Sequence, residues 1–262
     1  MMEPANDTII SVRGLVTQLG GRLIHDHVDL DVRRGEVIAI VGGSGSGKSV
    51  LLRTIIGLLT PHDGHIEVFG ENAAGLDSGG LRRLQRRWGV LFQDGALYSS
   101  QTVAENIQVP LREYAKLPQQ LMDEIAGVKL HMVGLSEDAG SKYPSELSGG
   151  MRKRAGLARA LVLDPEIVFL DEPTAGLDPI AANAFDMLIR NLQQSLGLTV
   201  FMVTHDLDTL RSIADRVAVL VNKTLKVGTI EEVMRDNDPW IQEYFSGPRG
   251  RAAMKVSDGN QS

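Results

Sequence analysis

Two glycine-rich segments and four polar residues at strand ends carry the chemistry of this sequence. The first segment is Gly42-Gly43-Ser44-Gly45-Ser46-Gly47-Lys48-Ser49, an eight-residue match to the phosphate-cradling pattern G-x-x-x-x-G-K-[ST]. It lies between an apolar, β-branched run, Val37 to Val41, and a stretch with helical apolar spacing, Lys48 to Ile56. Strand, loop and helix in that order let the backbone N–H groups of Gly45 to Ser49 point inward at a polyphosphate, with the helix N-terminus adding partial positive charge. Lys48 would reach the β and γ phosphates of ATP, and Ser49 would give its oxygen to Mg²⁺.

A second apolar run, Ile167 to Leu170, delivers Asp171 and Glu172 at its carboxyl end. Ligands of open α/β sheets bind beyond the carboxyl ends of the strands. Asp171 is therefore placed to hold Mg²⁺, and Glu172 to polarise a water that attacks the γ-phosphate. The other glycine-rich segment, Leu147-Ser148-Gly149-Gly150-Met151, opens a helical stretch. A helix start of this kind is a second anion site. Gln93 follows the run Val90-Leu91-Phe92, and His205 follows Val203-Thr204. Taken alone, Gln93 reads as a surface glutamine and His205 as a structural histidine.

The elements that must hold these residues follow from periodicity. Ile9 to Arg13 and His27 to Val32 alternate like strands of a partly exposed antiparallel sheet, turning at Leu19-Gly20-Gly21-Arg22, and His65 to Phe69 reads as another strand. From Leu81 to Tyr143 the pattern is helical and charged. From Gly149 onward strands and helices alternate, which makes the chain α/β, closing with a hairpin over Val217 to Gly228 and an amphipathic turn over Pro239 to Phe245. The stretch 246–262 is rich in Gly, Ser, Asn and charge and reads as a flexible tail.

A chain of 262 residues with 43% apolar content can bury a full core. Its formal charge of −6 argues against nucleic acid as a partner, and zero cysteines exclude disulfides, thiolate catalysis and cysteine-held metals. No apolar run approaches the roughly 20 residues of a membrane span. Met1 to Asp7 lacks a basic-then-apolar leader pattern, so the expected compartment is the cytoplasm. The arginines 82, 83, 86 and 87 read as a solvated helix face, and Arg152-Lys153-Arg154 is a second basic run.

In motif order the chain resembles the ATPase subunits of ATP-binding-cassette transporters up to about Phe245. Gly42 to Ser49 is similar to Walker A, Ile167 to Glu172 to Walker B, and Leu147 to Met151 to the family signature loop. Gln93 sits where the Q-loop glutamine lies, Ala175-Gly176-Leu177-Asp178 resembles the D-loop, and His205 the switch histidine. The resemblance implies a P-loop ATPase fold with a RecA-like core, a small antiparallel β-subdomain and an α-helical subdomain. Residues 1–80 would hold the β-subdomain and the first part of the core, 81–146 the helical subdomain, and 147–245 the remainder. It also implies a homodimer with two composite sites, in which Ser148, Gly149 and Gly150 cap the γ-phosphate held by the opposite subunit. Gln93 would touch Mg²⁺ and the attacking water, His205 would bond the γ-phosphate and orient Glu172, and Asp178 would report across the dimer seam. One departure concerns the early turn. Leu19 stands where many members stack an aromatic residue on adenine, which implies weaker discrimination between ATP and GTP.

Gly95-Ala96-Leu97-Tyr98, Pro110-Leu111-Arg112-Glu113, Pro144 to Met151, and Asp238-Pro239-Trp240 to Phe245 are similar to the branch that moves phospholipids between the inner and outer membranes. That branch implies a peripheral subunit on the cytoplasmic face of the inner membrane, beneath integral-membrane permease subunits. A Mce-domain protein and a STAS-domain protein would complete the complex, and the lipid itself would not touch this chain. Three alternatives stay open: an ATPase of another importer or exporter, a soluble cassette ATPase, and a nucleotide-binding module that does not hydrolyse.

Overall fold

A computed structural model describes residues 7–246; the expected tail beyond them lies outside the described residues. The chain forms two compact units, one from 7–74 with 203–246 and the other from 75–202.

The first unit begins with β1 (Thr8–Leu19) and β2 (Arg22–Arg33), followed by β3 (Val37–Gly42), α1 (Lys48–Ile55), β4 (Asp63–Val68) and the two-residue β5 (Glu71–Asn72). β1 and β2, 12 residues each, are at least twice the length that alternation alone suggests. Register shifts along β1, between Val12 and Leu15 and again between Leu15 and Thr17, break the period of two that sequence reading depends on. They form an antiparallel sheet in the order β2-β1-β4-β5. β3 is buried at every position, as a parallel strand covered on both faces requires.

The second unit holds α2 (Ser78–Gln85), β6 (Trp88–Leu91), α3 (Val103–Tyr114), α4 (Gln119–Met132), α5 (Gly149–Ala160), β7 (Ile167–Asp171) and α6 (Pro179–Leu196). The chain passes back to the first unit at the end of β8 (Thr199–Val203). β6 and β7 are parallel, with Leu91 paired to Leu170, so the residues after both strands emerge at one end. α3 starts on a capping box, Thr102 with Glu105, and α2 on Asp77.

The first unit is completed by α7 (Leu207–Ile213), β9 (Arg216–Val221), β10 (Thr224–Gly228), α8 (Ile230–Val233) and α9 (Pro239–Ser246). β9 runs parallel to β3 and antiparallel to β10. A core of Ala39, Val41, Leu210, Val217, Val219, Val233, Ile241 and Phe245 ties β3 and β9 to α7, α8 and α9. Among the described residues no helix is long and apolar enough to cross a membrane.

Candidate active site

In the first unit the phosphate loop is held by what surrounds its glycines. Gly47 takes φ 111° and forms the N-cap of α1; a Cβ there would lie 2.5 Å from Ile24 Cγ2 and 2.8 Å from His25 Nε2. At the other end, a Cβ on Gly42 would lie 2.6 Å from the Leu220 carbonyl oxygen. The loop is thus clamped between β2 and β9 at positions only glycine can fill. No side chain caps α1 and its first turn has no acidic residue, so its N-terminal N–H groups remain suited to an anion. Lys48 Nζ donates to the carbonyls of Gly42 (2.9 Å) and Gly43 (3.1 Å), laying its ammonium along the cradle. Ser46 Oγ is buried without a hydrogen-bond partner, a polar group oriented within the loop itself.

His25, fully buried beneath this loop, is a residue that sequence reading missed. Thr17 Oγ1 and His25 Nδ1 are 2.6 Å apart, and Nε2 abuts Gly47 without a well-formed hydrogen bond. Burial pushes its pKa down to about 4, against a smaller opposing effect of the Gly47 backbone, so the ring is neutral at pH 7. Thr204 N–H donates to the Ile40 carbonyl at 3.1 Å, which sets His205 beside the strand that feeds the loop. Leu19 sits at the tip of the β1–β2 hairpin, 43% exposed.

In the second unit the acidic end is built from side chains and a strained backbone. Gln93 and Glu172 each lie two residues beyond the paired Leu91 and Leu170. Lys153, on α5 and 5% exposed, joins them: its Nζ donates to the carbonyl oxygens of Gln93 and of Glu172, the latter at 3.0 Å. Glu172 holds φ 50°, the left-handed region that side chains avoid, and Lys153 secures its peptide there. Burial lowers the Lys153 pKa, while the Asp94, Glu172 and Asp171 carboxylates act the other way. Asp171 is buried at the end of β7.

The basic triplet does more than lend charge: Lys153 faces the Asp94, Glu172 and Asp171 carboxylates, and each member also bonds backbone. Arg152 donates to the Leu147 carbonyl at 2.7 Å and Arg154 to the Val133 carbonyl at 2.6 Å, so all three residues brace backbone. Arg159 does the same for the segment after Gln93, with 2.7 Å bonds to the carbonyls of Gly95 and Ala96. Of the other arginine cluster, Arg82 lies over the Tyr114 ring and Arg87 pairs with Glu166.

Ser148 caps α5, its Oγ accepting from Met151 N–H at 3.3 Å, and Gly149 and Gly150 form the first turn. That turn carries no acidic residue. Asp178 caps α6, accepting from the N–H groups of Ile180 and Ala181 at 3.0 Å. Leu177 ties these two helix starts together: its Cδ2 would lie 3.8 Å from a Cβ on Gly149 and 3.9 Å from one on Gly150.

The profile of the family described as "ABC transporter" matches residues 25–175, more than half of the chain. The chain belongs to the ABC transporter family. It is 39% identical over 243 residues to the intermembrane phospholipid transport system ATP-binding protein MlaF of Haemophilus influenzae, covering 92% of both chains. With MlaF of Escherichia coli K12 it is 38% identical over 247 residues, 94% of this chain and 91% of that one. It is also 40% identical over 241 residues to the "probable ribonucleotide transport ATP-binding protein mkl" of Mycobacterium leprae, 92% of this chain and 69% of that protein. Among solved structures, a dimeric ATP-binding cassette in a post-hydrolysis state, bound to ADP and Pi, superposes with TM-score 0.77 at 29% identity, covering 84% and 98% of the two chains. CbiO1 from Clostridium perfringens, part of the cbiONQ ABC transporter complex, gives 0.79 at 30% identity, covering 95% and 99%. The fold is that of the ABC ATPases, and this ABC ATPase is the ATP-binding, ATP-hydrolysing subunit of a transporter.

Two residues, Lys153 and His25, have roles that local spacing in the sequence does not disclose, because their partners lie elsewhere in the chain. Lys153 lies 60 residues from Gln93. The one signal for it was a lysine on the inward face of a helix next to small residues, Ala155 and Gly156. The signal for His25 was fainter still, an inward position in a strand whose register shifts.

Proposed function

We propose that this chain powers the movement of phospholipid between the inner and outer membranes, as the ATPase of a membrane-bound complex. The observation that carries this reading is the likeness to MlaF over nine-tenths of both chains. Two copies would form the working unit, each supplying Gly42 to Ser49 for one nucleotide and Ser148 to Gly150 for the other's. Glu172 polarises the attacking water, His205 and Gln93 orient it, and Leu19 gives adenine an apolar contact. The strained Glu172 backbone supports its assignment, because such strain is retained where function requires it.

Ser49, Asp171 and Gln93 present a hydroxyl, a carboxylate and an amide oxygen. These are hard oxygen donors of the kind that would suit Mg²⁺. Bound there, an ion would neutralise charge on the phosphate oxygens. The segment from Asp94 to Glu105 would receive a cytoplasmic helix of a permease, with Mce-domain and STAS-domain proteins completing the complex at the inner membrane. A helical subdomain within 81–146 would serve this coupling by facing the permease.

The test is transport by the complex of this chain with its permease, reconstituted in bilayers. ATP-dependent transfer of a fluorescent phospholipid to acceptor vesicles, lost in Lys48→Ala, supports the reading. ATP-dependent uptake of radiolabelled ribonucleotide without phospholipid transfer would replace it with the reading that the mkl name suggests for its own protein.

A further inference from the structure

We propose that the stacked pair Trp240 and Tyr244 on α9 is a positioning device for hydrolysis, setting the phosphate loop and His205 from one rigid helix. The inference rests on His205 acting at the γ-phosphate, as proposed above.

α9 is anchored before it touches the site. Asp238 caps it, accepting from Trp240 N–H at 2.9 Å, and its other oxygen accepts from Asn222 Nδ2 in the β9–β10 turn at 3.2 Å. Gln242 Nε2 donates to the carbonyls of Met234 (2.9 Å) and Asp236 (2.7 Å). Ile241 and Phe245, both essentially inaccessible, enter the core beside Ala39 and Val41 of β3, the strand that delivers the phosphate loop. One face of α9 is therefore fixed to the base of the loop.

The neighbouring face carries the pair. Trp240 and Tyr244, four residues apart, stack with ring centroids 4.8 Å apart and planes 14° from parallel, and Phe245 meets Tyr244 edge-on at 5.0 Å. The Trp240 indole lies over the start of the loop, where a Cβ on Gly43 would come within 3.5 Å of Nε1. Tyr244 Oη donates to the His205 carbonyl at 3.0 Å. That bond fixes the peptide after His205. The next residue is held on both sides, Asp206 N–H by Thr204 Oγ1 at 3.1 Å and the Asp206 carboxylate by Asp208 N–H at 2.9 Å. Ile241 and Phe245 are the buried anchors of α9, while Trp240 and Tyr244 are half-buried and pack against the edge of the same core. Their contacts fall on two residues of the proposed machinery, Gly43 and His205. A bonded peptide holds the His205 side chain near its working geometry, and small misplacements of catalytic groups cost rate steeply.

The test is steady-state ATP hydrolysis by the full-length chain in its transporter complex, with Tyr244→Phe, Trp240→Ala, Trp240→Phe, His205→Ala and the double variant Tyr244→Phe/His205→Ala. Tyr244→Phe is expected to lower kcat about fivefold or more with KM for ATP changed less than about twofold, since it removes a single hydroxyl that acts through His205. Trp240→Ala is expected to raise KM by about fivefold, and Trp240→Phe to restore most of it. In the His205→Ala background Tyr244→Phe should add nothing. If Tyr244→Phe keeps full kcat while His205→Ala loses most of it, the positioning role is overturned and the reading of His205 stands. If His205→Ala itself keeps full kcat, both are overturned. Equal, additive losses from Tyr244→Phe in both backgrounds would also overturn the proposal, because they would show an effect that bypasses His205.

Discussion

The phosphate loop of the first unit and the acidic end of the second solve opposite problems. The loop must offer many backbone donors to a polyanion, so it is built from glycines pressed between β2 and β9, with Lys48 folded along it. The acidic end must aim a few side-chain oxygens, so its backbone is forced into an unusual conformation at Glu172 and pinned by a buried lysine. The first works by leaving backbone groups available, the second by immobilising them. Binding should therefore fail when the loop is altered, and turnover should fail when the acidic end is loosened.

Lys48→Ala gives the largest expected effect. Removing a cation that lies along the phosphate cradle should cost about a hundredfold or more in kcat/KM for ATP, measured by phosphate release. Retention of near-normal hydrolysis would break the assignment of the loop. Lys153→Met sharpens the other side. It keeps the stem but leaves two carbonyls without their charged donor, a loss of about 2 kcal/mol or more. The expected result is a kcat down by about tenfold with ATP affinity nearly unchanged, and a melting temperature several degrees lower. A rise in KM with kcat preserved would mean that Lys153 serves binding.

The contrast also explains what the sequence discloses. The phosphate loop, the acidic pair and the signature segment are contiguous, and their chemistry depends on neighbours within eight residues. So do the caps at Ser148 and Asp178, where a short polar side chain precedes a helix. The roles of Lys153 and His25 were not legible because their partners are remote, and a buried lysine looks on paper like the arginines on either side of it. The length of β1 and β2 was hidden for a different reason. Register shifts carry the strand pair past the point where alternation fails, and Gly14 in β1 reads as a break.

His25 offers a smaller effect on the loop side. Its folded pKa, about 4, lies below the ordinary 6.5. Above pH 6.5 the ring is neutral in both folded and unfolded chains and pH has no effect through it. Between 6.5 and 4 the unfolded chain binds the extra proton, so stability falls as pH falls, by roughly 3 kcal/mol over the window. Melting curves from pH 7 to 4.5 should show this slope in the parent and a shallower one in His25→Gln; identical slopes would place the titration elsewhere. The smallest effect belongs to Leu19. With no ring to stack on the base, worth roughly 1–3 kcal/mol where present, the chain should use ATP and GTP within about tenfold of each other. Leu19→Ala should change that ratio little. A strong preference for ATP that survives the substitution would locate base recognition in other residues.

The central claim is that one copy holds parts of two sites, and that Glu172 completes the reaction once two copies close. Its most direct test is the solution mass of Glu172→Gln, compared with the parent chain, in ATP and in ADP. Glu172→Gln should bind ATP, lose hydrolysis, and run at twice the 28.4 kDa chain mass in ATP but not in ADP. A variant that still hydrolyses at the parent rate, or one that binds ATP and stays at the single-chain mass, would contradict the account.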